Sequence, residues 1–337
     1  RAPNAQPRRA RVRTAPGPQP GCAAGGPTTR TGSAGWTRRR LRVRSPAPPV
    51  VRRHSLVDTP IKIGMPVALT GAAGEIGAQM RRGAEFWAKH THAKGGLLGR
   101  PIQLVVQDTA GDPATCVRKA QDVVERDGCR LLFGMTLSSE ALAVVPQLAE
   151  WNAVFMSSDN GDGRLTGSSL VPNFFRANTS GPMGTRAVSL YLRHASFKGL
   201  FAIGIDYAWG HNSIGVFQDE VKRAGKNFIG DVYSPIGTKD FATYITKIRQ
   251  SGADACFIVM QGDDNAAFLS QAKQYRLSDK VQLLTEIVDL NSIAATGDAS
   301  VGLHGSSRYP STSPGAANAA LREMWTARCN AIPPPSR

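Results

Sequence analysis

Hydrophobic and polar positions alternate with two different periods along most of the chain, from about residue 58 onward. Short apolar runs predict β-strands, and segments in which apolar residues recur every three or four positions predict amphipathic helices. Strands are expected at 61–68, 102–107, 131–134, 153–157, 173–177, 199–205, 227–233, 255–260, 281–285 and 301–307. Helices are expected near 75–93, 113–127, 139–150, 181–195, 211–225, 240–251, 263–276 and 316–328.

Two of the predicted strands, LFAIGI and ACFIVM, are almost entirely apolar. Such runs are typical of parallel strands with helices on both faces, so the alternation predicts a doubly wound, Rossmann-like α/β fold. About ten strands are many for one open sheet, and we therefore expect two lobes joined by a hinge. Lobe 1 is predicted over 58–175, lobe 2 over 176–303, and an incomplete return to lobe 1 over 304–337.

The net charge of +16 is concentrated at the start of the chain. Residues 1–57 contain 13 Arg and no Lys, Asp or Glu, whereas the other 280 residues carry 28 Lys and Arg against 25 Asp and Glu. The predicted lobes therefore lack the basic surface of a nucleic-acid-binding domain. Residues 1–57 are rich in Arg, Pro, Ala and Gly, so we expect a disordered extension. A basic arm for RNA or anionic lipid is the alternative.

The cysteines and histidines give no metal-binding pattern. Cys116, Cys129, Cys256 and Cys329 are widely spaced, with no CxxC pair and no His at the spacing of zinc ligands. Cys256 falls inside a predicted strand and is expected to be a core thiol. No stretch approaches the ~18 consecutive apolar residues of a membrane span. We expect neither a metal nor another cofactor.

A glycine-rich turn, TGAAGEIG, supports a competing hypothesis of a nicotinamide-dependent oxidoreductase. Gly71, Gly74 and Gly77 follow an apolar strand at the spacing of a phosphate-binding turn. The acid expected about 20 residues on to hold the ribose is missing, since Asp108 lies 31 residues beyond Gly77. The YxxxK pair of such reductases is absent, and so is the GxSxG motif of a hydrolase. Nothing in the sequence points to catalysis.

A hydroxyl- or glycine-rich turn follows six of the predicted strands, at the start of a helix. The turns read LTGAAG, FGMTLSSE, MSSDNGDG, GIDYAWGHN, MQGDDN and LLTEIVD, three in each predicted lobe. Ligands of doubly wound sheets bind beyond the carboxyl ends of the strands. Helix N-termini and Ser hydroxyls there offer donors to an anionic or carbonyl group. The two sets of turns therefore predict a ligand-binding cleft.

From about residue 58 to 313 the chain resembles the solute-binding proteins of ABC importers, in the branched-chain amino acid/amide-binding (Leu/Ile/Val-binding-like) family. The resemblance is carried by ALTGAAGEIG, AKGGLLGRPIQLVVQD, FGMTLSSEALAV, GRLTG, NFFR, GIDYAWGHN, TKDFATYITKIRQSGADA and IAATGDASVGLHG, in this order. It implies a type I periplasmic binding fold whose two lobes close on a small polar solute by hinge motion.

The resemblance also implies which residues contact the solute. The Ser pair after the third strand matches a carboxylate-binding turn, the aromatic pair matches a position closing from lobe 2, and an acid after the ninth strand matches the ammonium-binding acid. The implied ligand-binding residues are Thr70, Gly71, Ile76, Ser138, Ser139, Ser157, Asp159, Gly161, Tyr207, Trp209, Asp263 and Glu286.

Structural roles compete with several of these assignments. Ser138 is a natural helix cap, Trp209 fits interlobe packing, and Glu286 fits a solvated acid at a strand end. Where amino-acid binders carry a threonine, this chain reads Asp159-Asn160-Gly161, which leaves room for amides and for aromatic or aliphatic acids. The family's third crossing between lobes is not seen after AANAALREMWTARC, so we expect looser coupling of the lobes and reduced stability.

The predicted function is therefore that of a monomeric, non-enzymatic protein that delivers an amino acid, amide or organic acid to an ABC permease in the inner membrane. Such a function places the protein in the periplasm, although the sequence shows no secretory signal. A ligand-sensing regulator or receptor on the same fold is the alternative from another class. It would need a DNA-binding or signalling segment, and neither a helix-turn-helix nor a membrane span is recognisable.

Overall fold

Two five-stranded parallel sheets form the framework of the computed structural model, which describes residues 59–288, 290–309 and 312–329. The first sheet has the order β2-β1-β3-β4-β5 and the second the order β10-β9-β8-β6-β7. The strands of the first sheet are β1 (Ile61–Val67), β2 (Ile102–Asp108), β3 (Leu131–Gly134), β4 (Val154–Ser157) and β5 (Phe174–Arg176). Those of the second are β6 (Gly199–Ile205), β7 (Asn227–Ser234), β8 (Ala255–Val259), β9 (Gln282–Thr285) and β10 (His304–Gly305).

Nine α-helices connect and cover these strands in the described part of the chain. They are α1 (Gly74–Ala93), α2 (Pro113–Glu125), α3 (Ser138–Val144), α4 (Gly181–Leu192), α5 (Ala208–Arg223), α6 (Ala242–Gln250), α7 (Gly262–Gln274), α8 (Leu290–Thr296) and α9 (Ala316–Cys329). Because parallel neighbours need a crossover, almost every pair of successive strands is separated by a helix. The prediction of two doubly wound α/β lobes is confirmed.

The central strands of the second lobe show why the apolar runs predicted a parallel sheet. Every residue of β6 and β8 is buried, since helices cover both faces of the sheet. On one face Phe217 of α5 stacks on Phe257 of β8 with ring centroids 4.1 Å apart. On the other face Phe241 and Phe268 pack edge to face. Cys256 is fully buried in β8, as its place in the apolar run predicted.

The glycines of TGAAGEIG permit a tight turn and close packing at the junction of β1 and α1. Gly71 has a φ of +74°, a conformation that residues with a Cβ rarely adopt. Gly77 approaches the backbone of β1 so closely that a Cβ on it would be 1.7 Å from the carbonyl oxygen of Ala68. The spacing that suggested a cofactor-binding turn therefore serves the close packing of α1 on the end of β1.

The observed elements follow the predicted ones closely, with three differences. Helix α8 was not predicted, β10 is only two residues long, and the helix expected at 139–150 is α3 followed by a short 3₁₀ turn, where Pro146 interrupts the pattern. The lobe boundaries at 175 and 303 stay predictions, although the strands of the two sheets separate between β5 and β6. The extension over 1–57 lies outside the described residues.

Candidate functional site

A cavity of about 660 Å³ lies between the two lobes, at the carboxyl ends of the strands. Lobe 1 contributes the β1–α1 turn and Leu137, and lobe 2 contributes the turns after β6, β7 and β8 together with α8. About half of the lining side chains are apolar, and the polar ones come mainly from lobe 2. The lining residues are Gly71, Ala72, Ala73, Glu75, Ile76, Gln79, Leu137, Ile205, Tyr207, Ile236, Gly237, Lys239, Gln261, Gly262, Asp263, Asp264, Ala266, Ser292 and Ala295.

Asp108, at the end of β2, fixes the lobe-1 wall of this cavity. Its carboxylate accepts hydrogen bonds from the backbone N–H of Leu69 at 2.8 Å and of Ala110 at 2.9 Å, and from the hydroxyl of Thr70 at 2.7 Å. Burial alone would raise the pKa of Asp108, but these hydrogen bonds to its ionised form lower it to about 2. Asp108 therefore holds the glycine turn in place as a permanent anion.

The lobe-2 wall is built from the residues at which helices begin. Tyr207 directly precedes α5, Gln261 directly precedes α7, and Ser292 lies in α8, where its hydroxyl donates to the carbonyl oxygen of Gly262 at 3.2 Å. Asp264 is buried in the first turn of α7 and accepts from the Gly237 N–H at 2.9 Å, which joins the turns after β7 and β8. The wall is therefore held by its own hydrogen bonds.

A buried cluster of charged and aromatic side chains lies beside the cavity. Glu286, after β9, accepts from the indole Nε1–H of Trp209 at 2.9 Å and pairs with Arg308 at 3.2 Å. Asp159, after β4 of the other lobe, pairs with Arg308 at 3.8 Å. The Arg308 guanidinium also lies 5.9 Å from the centre of the Trp209 ring. The cluster thus joins both lobes through one arginine.

Burial dominates the electrostatics of this cluster. It raises the pKa of Glu286, although Arg308, Ser213 and Trp209 act in the opposite direction by stabilising the carboxylate. Burial also raises the pKa of Tyr207 far above the usual range, and the carboxylate of Asp159 adds to this effect. The Tyr207 hydroxyl therefore stays protonated and can donate a hydrogen bond at any physiological pH.

Several hydroxyl and amide side chains behind the cavity organise the loops of lobe 1. Ser138 accepts from the backbone N–H of Asp162 at 3.1 Å, so its oxygen supports the neighbouring loop. The Asn160 amide donates to the carbonyl oxygens of Met135 and Leu137 at 2.6 and 3.1 Å. Ser157 lies beneath this loop and donates toward the Asn160 side chain at 3.0 Å. These contacts fix the loop that carries Asp159.

The structure divides the twelve predicted site residues into three groups. Gly71, Ile76, Tyr207 and Asp263 line the cavity. Asp159, Trp209 and Glu286 form the buried cluster, and Gly161 lies against it, since a Cβ on Gly161 would be 2.4 Å from the Trp209 ring. The third group lies outside both the cavity lining and the buried cluster, and it consists of Thr70, Ser138, Ser139 and Ser157. Their contact with a solute stays a prediction, as do the ligand roles of the other eight.

Burial bears on the alternatives considered for Glu286 and for Trp209. The sequence left open a solvated Glu286, but it is 1% exposed and hydrogen-bonded. Trp209 is 2% exposed, which agrees with the interlobe packing alternative. Sequence reasoning missed Arg308 and Gln261, because nothing in SSRYP or MQGDDN signals a partner that lies elsewhere in the chain.

The described residues contain no group of three or more His, Cys, Asp or Glu side chains able to hold a metal ion. Among these same residues, no helix is long and apolar enough to cross a membrane. Cys116, Cys129 and Cys256 are buried and free.

Comparison with known proteins places this geometry in a family. The family described as "Periplasmic binding protein" matches residues 60–337. A Leu/Ile/Val-binding protein homolog from Brucella melitensis is 28% identical over 199 residues, which are 58% of this chain and 53% of that protein. The chain therefore spans about half the length of the curated relatives it matches.

Solved structures agree in fold. An ABC transporter substrate-binding protein from Sphaerobacter thermophilus is 29% identical, with a TM-score of 0.72 over 82% of this chain and 76% of that one. A solute-binding protein from R. palustris in complex with benzoate gives a TM-score of 0.75 over the same shares at 20% identity, which shows the fold alone. With its two parallel-sheet lobes and a family match over most of its length, the chain belongs to the periplasmic binding protein family.

Proposed function

We propose that this chain is the solute-binding component of an ABC importer, which captures a small organic solute between its lobes and delivers it to a permease without catalysis. The observation that carries the proposal is the cavity of about 660 Å³ between the lobes, lined by turns at the carboxyl ends of strands from both sheets. This is the position at which doubly wound sheets bind ligands. A cavity of this volume falls in the range of small-molecule sites.

Closure of the lobes is the mechanism that the contacts between them support. The Gly163 N–H donates to the Asn212 side chain of α5 at 2.9 Å, and a Cβ on Gly237 would be 3.3 Å from that of Ala72. A solute that contacts both walls stabilises the closed arrangement by its extra contacts, and a permease can then distinguish loaded from empty protein. This role places the protein in the periplasm, where a monomer suffices.

The proposed solute has an apolar body and a polar end. Ile76 and Leu137 from lobe 1 face Ile205 and Ile236 from lobe 2, whereas Tyr207 and neighbouring polar groups supply hydrogen bonds. The relatives carry names that mention branched-chain amino acids, and one structural neighbour holds benzoate. Amino acids, amides and small aliphatic or aromatic acids are therefore the classes to test.

A thermal-shift screen followed by calorimetry tests the proposal. The chain is screened against amino acids, amides, urea, aliphatic and aromatic acids, and NAD(H), and binding is then measured for each compound that raises the melting temperature. The variant Ile76→Trp, which fills the cavity, should weaken a confirmed solute at least about 10-fold, because an overfilled pocket excludes its ligand. The control Ile229→Trp, at a half-exposed position of β7, should not. A shift with NAD(H) alone would contradict the proposal.

A further inference from the structure

A second cavity, of about 350 Å³, lies between the two lobes and shares no lining residue with the first. Lobe 1 contributes the 3₁₀ turn Gly163–Thr166, and lobe 2 contributes the start of α4 and Asn212 of α5. Arg164, Arg186 and several hydroxyl and amide side chains line it, whereas no Asp or Glu is among the described residues that do so. The lining therefore combines two cations with hydrogen-bonding groups and carries no anion of its own.

The ion pairs around this second cavity leave one positive charge in excess. Arg164 pairs with Asp162 at 2.6 Å, and this pair is neutral. On the lobe-2 side the single carboxylate of Glu220 serves two arginines, since it lies 2.5 Å from Nη1 of Arg223 and 3.6 Å from Nε of Arg186. Arg186 is the more loosely held of the two, and its side chain is 57% exposed. An anion that entered the cavity would therefore meet a cation that the acids of these pairs do not fully neutralise.

Ser180 adds a nearly buried hydroxyl to the second cavity. It is 7% exposed and directly precedes α4, where a serine side chain commonly accepts a hydrogen bond from the helix. Its side chain makes no such bond, because Pro182 has no N–H and the N–H of Met183 donates to the Ser180 carbonyl oxygen instead. This hydroxyl bonds to no other group in the part of the chain that the structure describes. An acceptor bound in the cavity would supply the missing partner.

The Asn212 side chain already joins the two lobes at this cavity. Its Oδ1 accepts from the Gly163 N–H at 2.9 Å, so the oxygen is used and the two N–H groups of the amide remain to donate. The first backbone N–H groups of α4 are not available, since those of Gly181 and Met183 donate to backbone carbonyl oxygens. The donors at the cavity therefore come from side chains of both lobes and not from the helix N-terminus.

We propose that the second cavity binds a small inorganic oxyanion, phosphate or sulfate, which bridges the 3₁₀ turn of lobe 1 and the start of α4 in lobe 2. A tetrahedral oxyanion carries acceptors in four directions, which suits donors that come from two lobes. Hydrogen bonds from guanidinium groups such as those of Arg164 and Arg186 to an oxyanion are charge-assisted and about twice as strong as neutral ones. The site is separate from the proposed solute cavity and does not depend on the proposed function.

The position of this site between the lobes connects it to their closure. The oxyanion would contact lobe 1 through Arg164 and lobe 2 through Ser180 and Arg186, so its contacts coexist only while these segments lie close together. A ligand shifts a conformational equilibrium toward the state to which it binds more tightly. The bound ion should therefore hold the two lobes in this arrangement without entering the first cavity.

Calorimetric titration of the full chain with sodium sulfate and sodium phosphate tests this inference in the absence of any solute. The ionic strength is low and held constant with sodium chloride, because salt screens exposed charges. At least one of the two ions should bind saturably at one site. Acetate, a planar anion with a single charge, should bind at least about 10-fold more weakly. Absence of saturable binding for both ions, or tighter binding of acetate, would overturn the inference and leave the proposed function standing.

Variants on each side of the cavity test whether the ion bridges the lobes. In Arg186→Met the excess cation is lost, so the affinity for the bound ion should fall at least about 10-fold. Ser180→Ala should weaken binding about 5-fold, and so should Arg164→Lys, which keeps a positive charge beside Asp162 but loses the guanidinium fork. The control Arg276→Met removes one charge from an exposed ion pair elsewhere and should change the affinity less than about 2-fold. Wild-type affinity in Arg186→Met, or weakening by the lobe-2 variants alone, would contradict the proposal.

Discussion

Two carboxylates at strand ends organise different regions of the molecule in opposite ways. Asp108, after β2, accepts hydrogen bonds from Leu69, Thr70 and Ala110 and has its pKa lowered to about 2. Glu286, after β9, is enclosed by Trp209 and Arg308 and has its pKa raised by burial. The first holds one wall of the cavity at little cost, whereas the second is a charge whose desolvation must be offset by its partners.

The difference follows from the donors available to each acid. Asp108 accepts from the backbone N–H groups of Leu69 and Ala110, whose positions are fixed by the course of the main chain, so ionised Asp108 needs no charged partner. Glu286 depends instead on side chains, namely the guanidinium of Arg308 and the indole of Trp209. The comparison predicts that the turn anchored by backbone donors tolerates single substitutions and that the cluster of charged side chains does not.

The largest effect is expected for Arg308→Met. Loss of the guanidinium leaves Glu286 and Asp159 buried without their shared cation, so the free energy of unfolding should fall by about 3–5 kcal/mol. Urea denaturation measures this value. The exposed pair of Arg276 and Asp279 supplies the control, since Arg276→Met should change the free energy of unfolding by less than about 1 kcal/mol.

A double variant shows whether the loss of stability in Arg308→Met comes from the carboxylate that is left unpaired or from the lost ion-pair attraction. In Arg308→Met with Glu286→Leu, one of the stranded carboxylates is replaced by an apolar group, and part of the lost stability should return. If the double variant were less stable than Arg308→Met alone, the stability lost in Arg308→Met would not come from burial of an uncompensated charge.

A smaller loss is expected for Asp108→Asn, about 1–3 kcal/mol at pH 7, because hydrogen bonds to an ionised acceptor are weakened. The folded-state pKa of about 2 lies below the unfolded value of about 3.9, so the stabilisation is complete above pH 4 and is lost as the pH falls toward 2. The difference between wild type and variant in urea denaturation should shrink over that window. A difference that grows with acidification would contradict the assignment.

Glu286 should give a pH dependence of opposite sign, because burial raises its pKa although Arg308, Ser213 and Trp209 act against this rise. A raised folded-state pKa means that the folded protein binds the proton more tightly than the unfolded chain. Relative to Glu286→Gln, wild-type stability should therefore rise as the pH falls through the folded-state pKa of Glu286 toward the unfolded value of about 4.3. Parallel pH profiles for the two proteins would show that Glu286 does not titrate as proposed.

The main-chain elements of the fold were easier to predict from the sequence than the buried cluster around Glu286. The apolar runs at 199–205 and 255–260 predicted buried parallel strands, because nearly every consecutive residue in them is apolar. The β1–α1 turn was also predictable, although its glycines suggested a phosphate-binding role as readily as a packing role. Only the 1.7 Å approach of a Cβ on Gly77 to the Ala68 carbonyl oxygen shows the packing role.

The buried cluster was only half predictable. Family resemblance pointed to Glu286 and Trp209, but Arg308 follows a two-residue strand in a polar segment, and no local pattern links it to Asp159 or Glu286. Ion pairs between distant loops depend on how two sheets meet, which residue periodicity does not encode. Helix α8 was missed because its seven residues are too few to show a clear helical period.

Thr70→Val is expected to have the smallest effect on stability, and it tests whether Thr70 supports the β1–α1 turn or contacts the solute. The Thr70 hydroxyl donates to Asp108 at 2.7 Å, but the backbone N–H groups of Leu69 and Ala110 would remain, so stability should fall by only about 0.5–1 kcal/mol. The pKa of Asp108 should rise toward its usual value for the same reason. Thr246→Val, at an exposed hydroxyl bonded within its own helix, is the control. If Thr70 serves only Asp108, solute affinity measured by calorimetry should change less than about 3-fold, whereas a lost direct hydrogen bond would weaken binding about 10-fold.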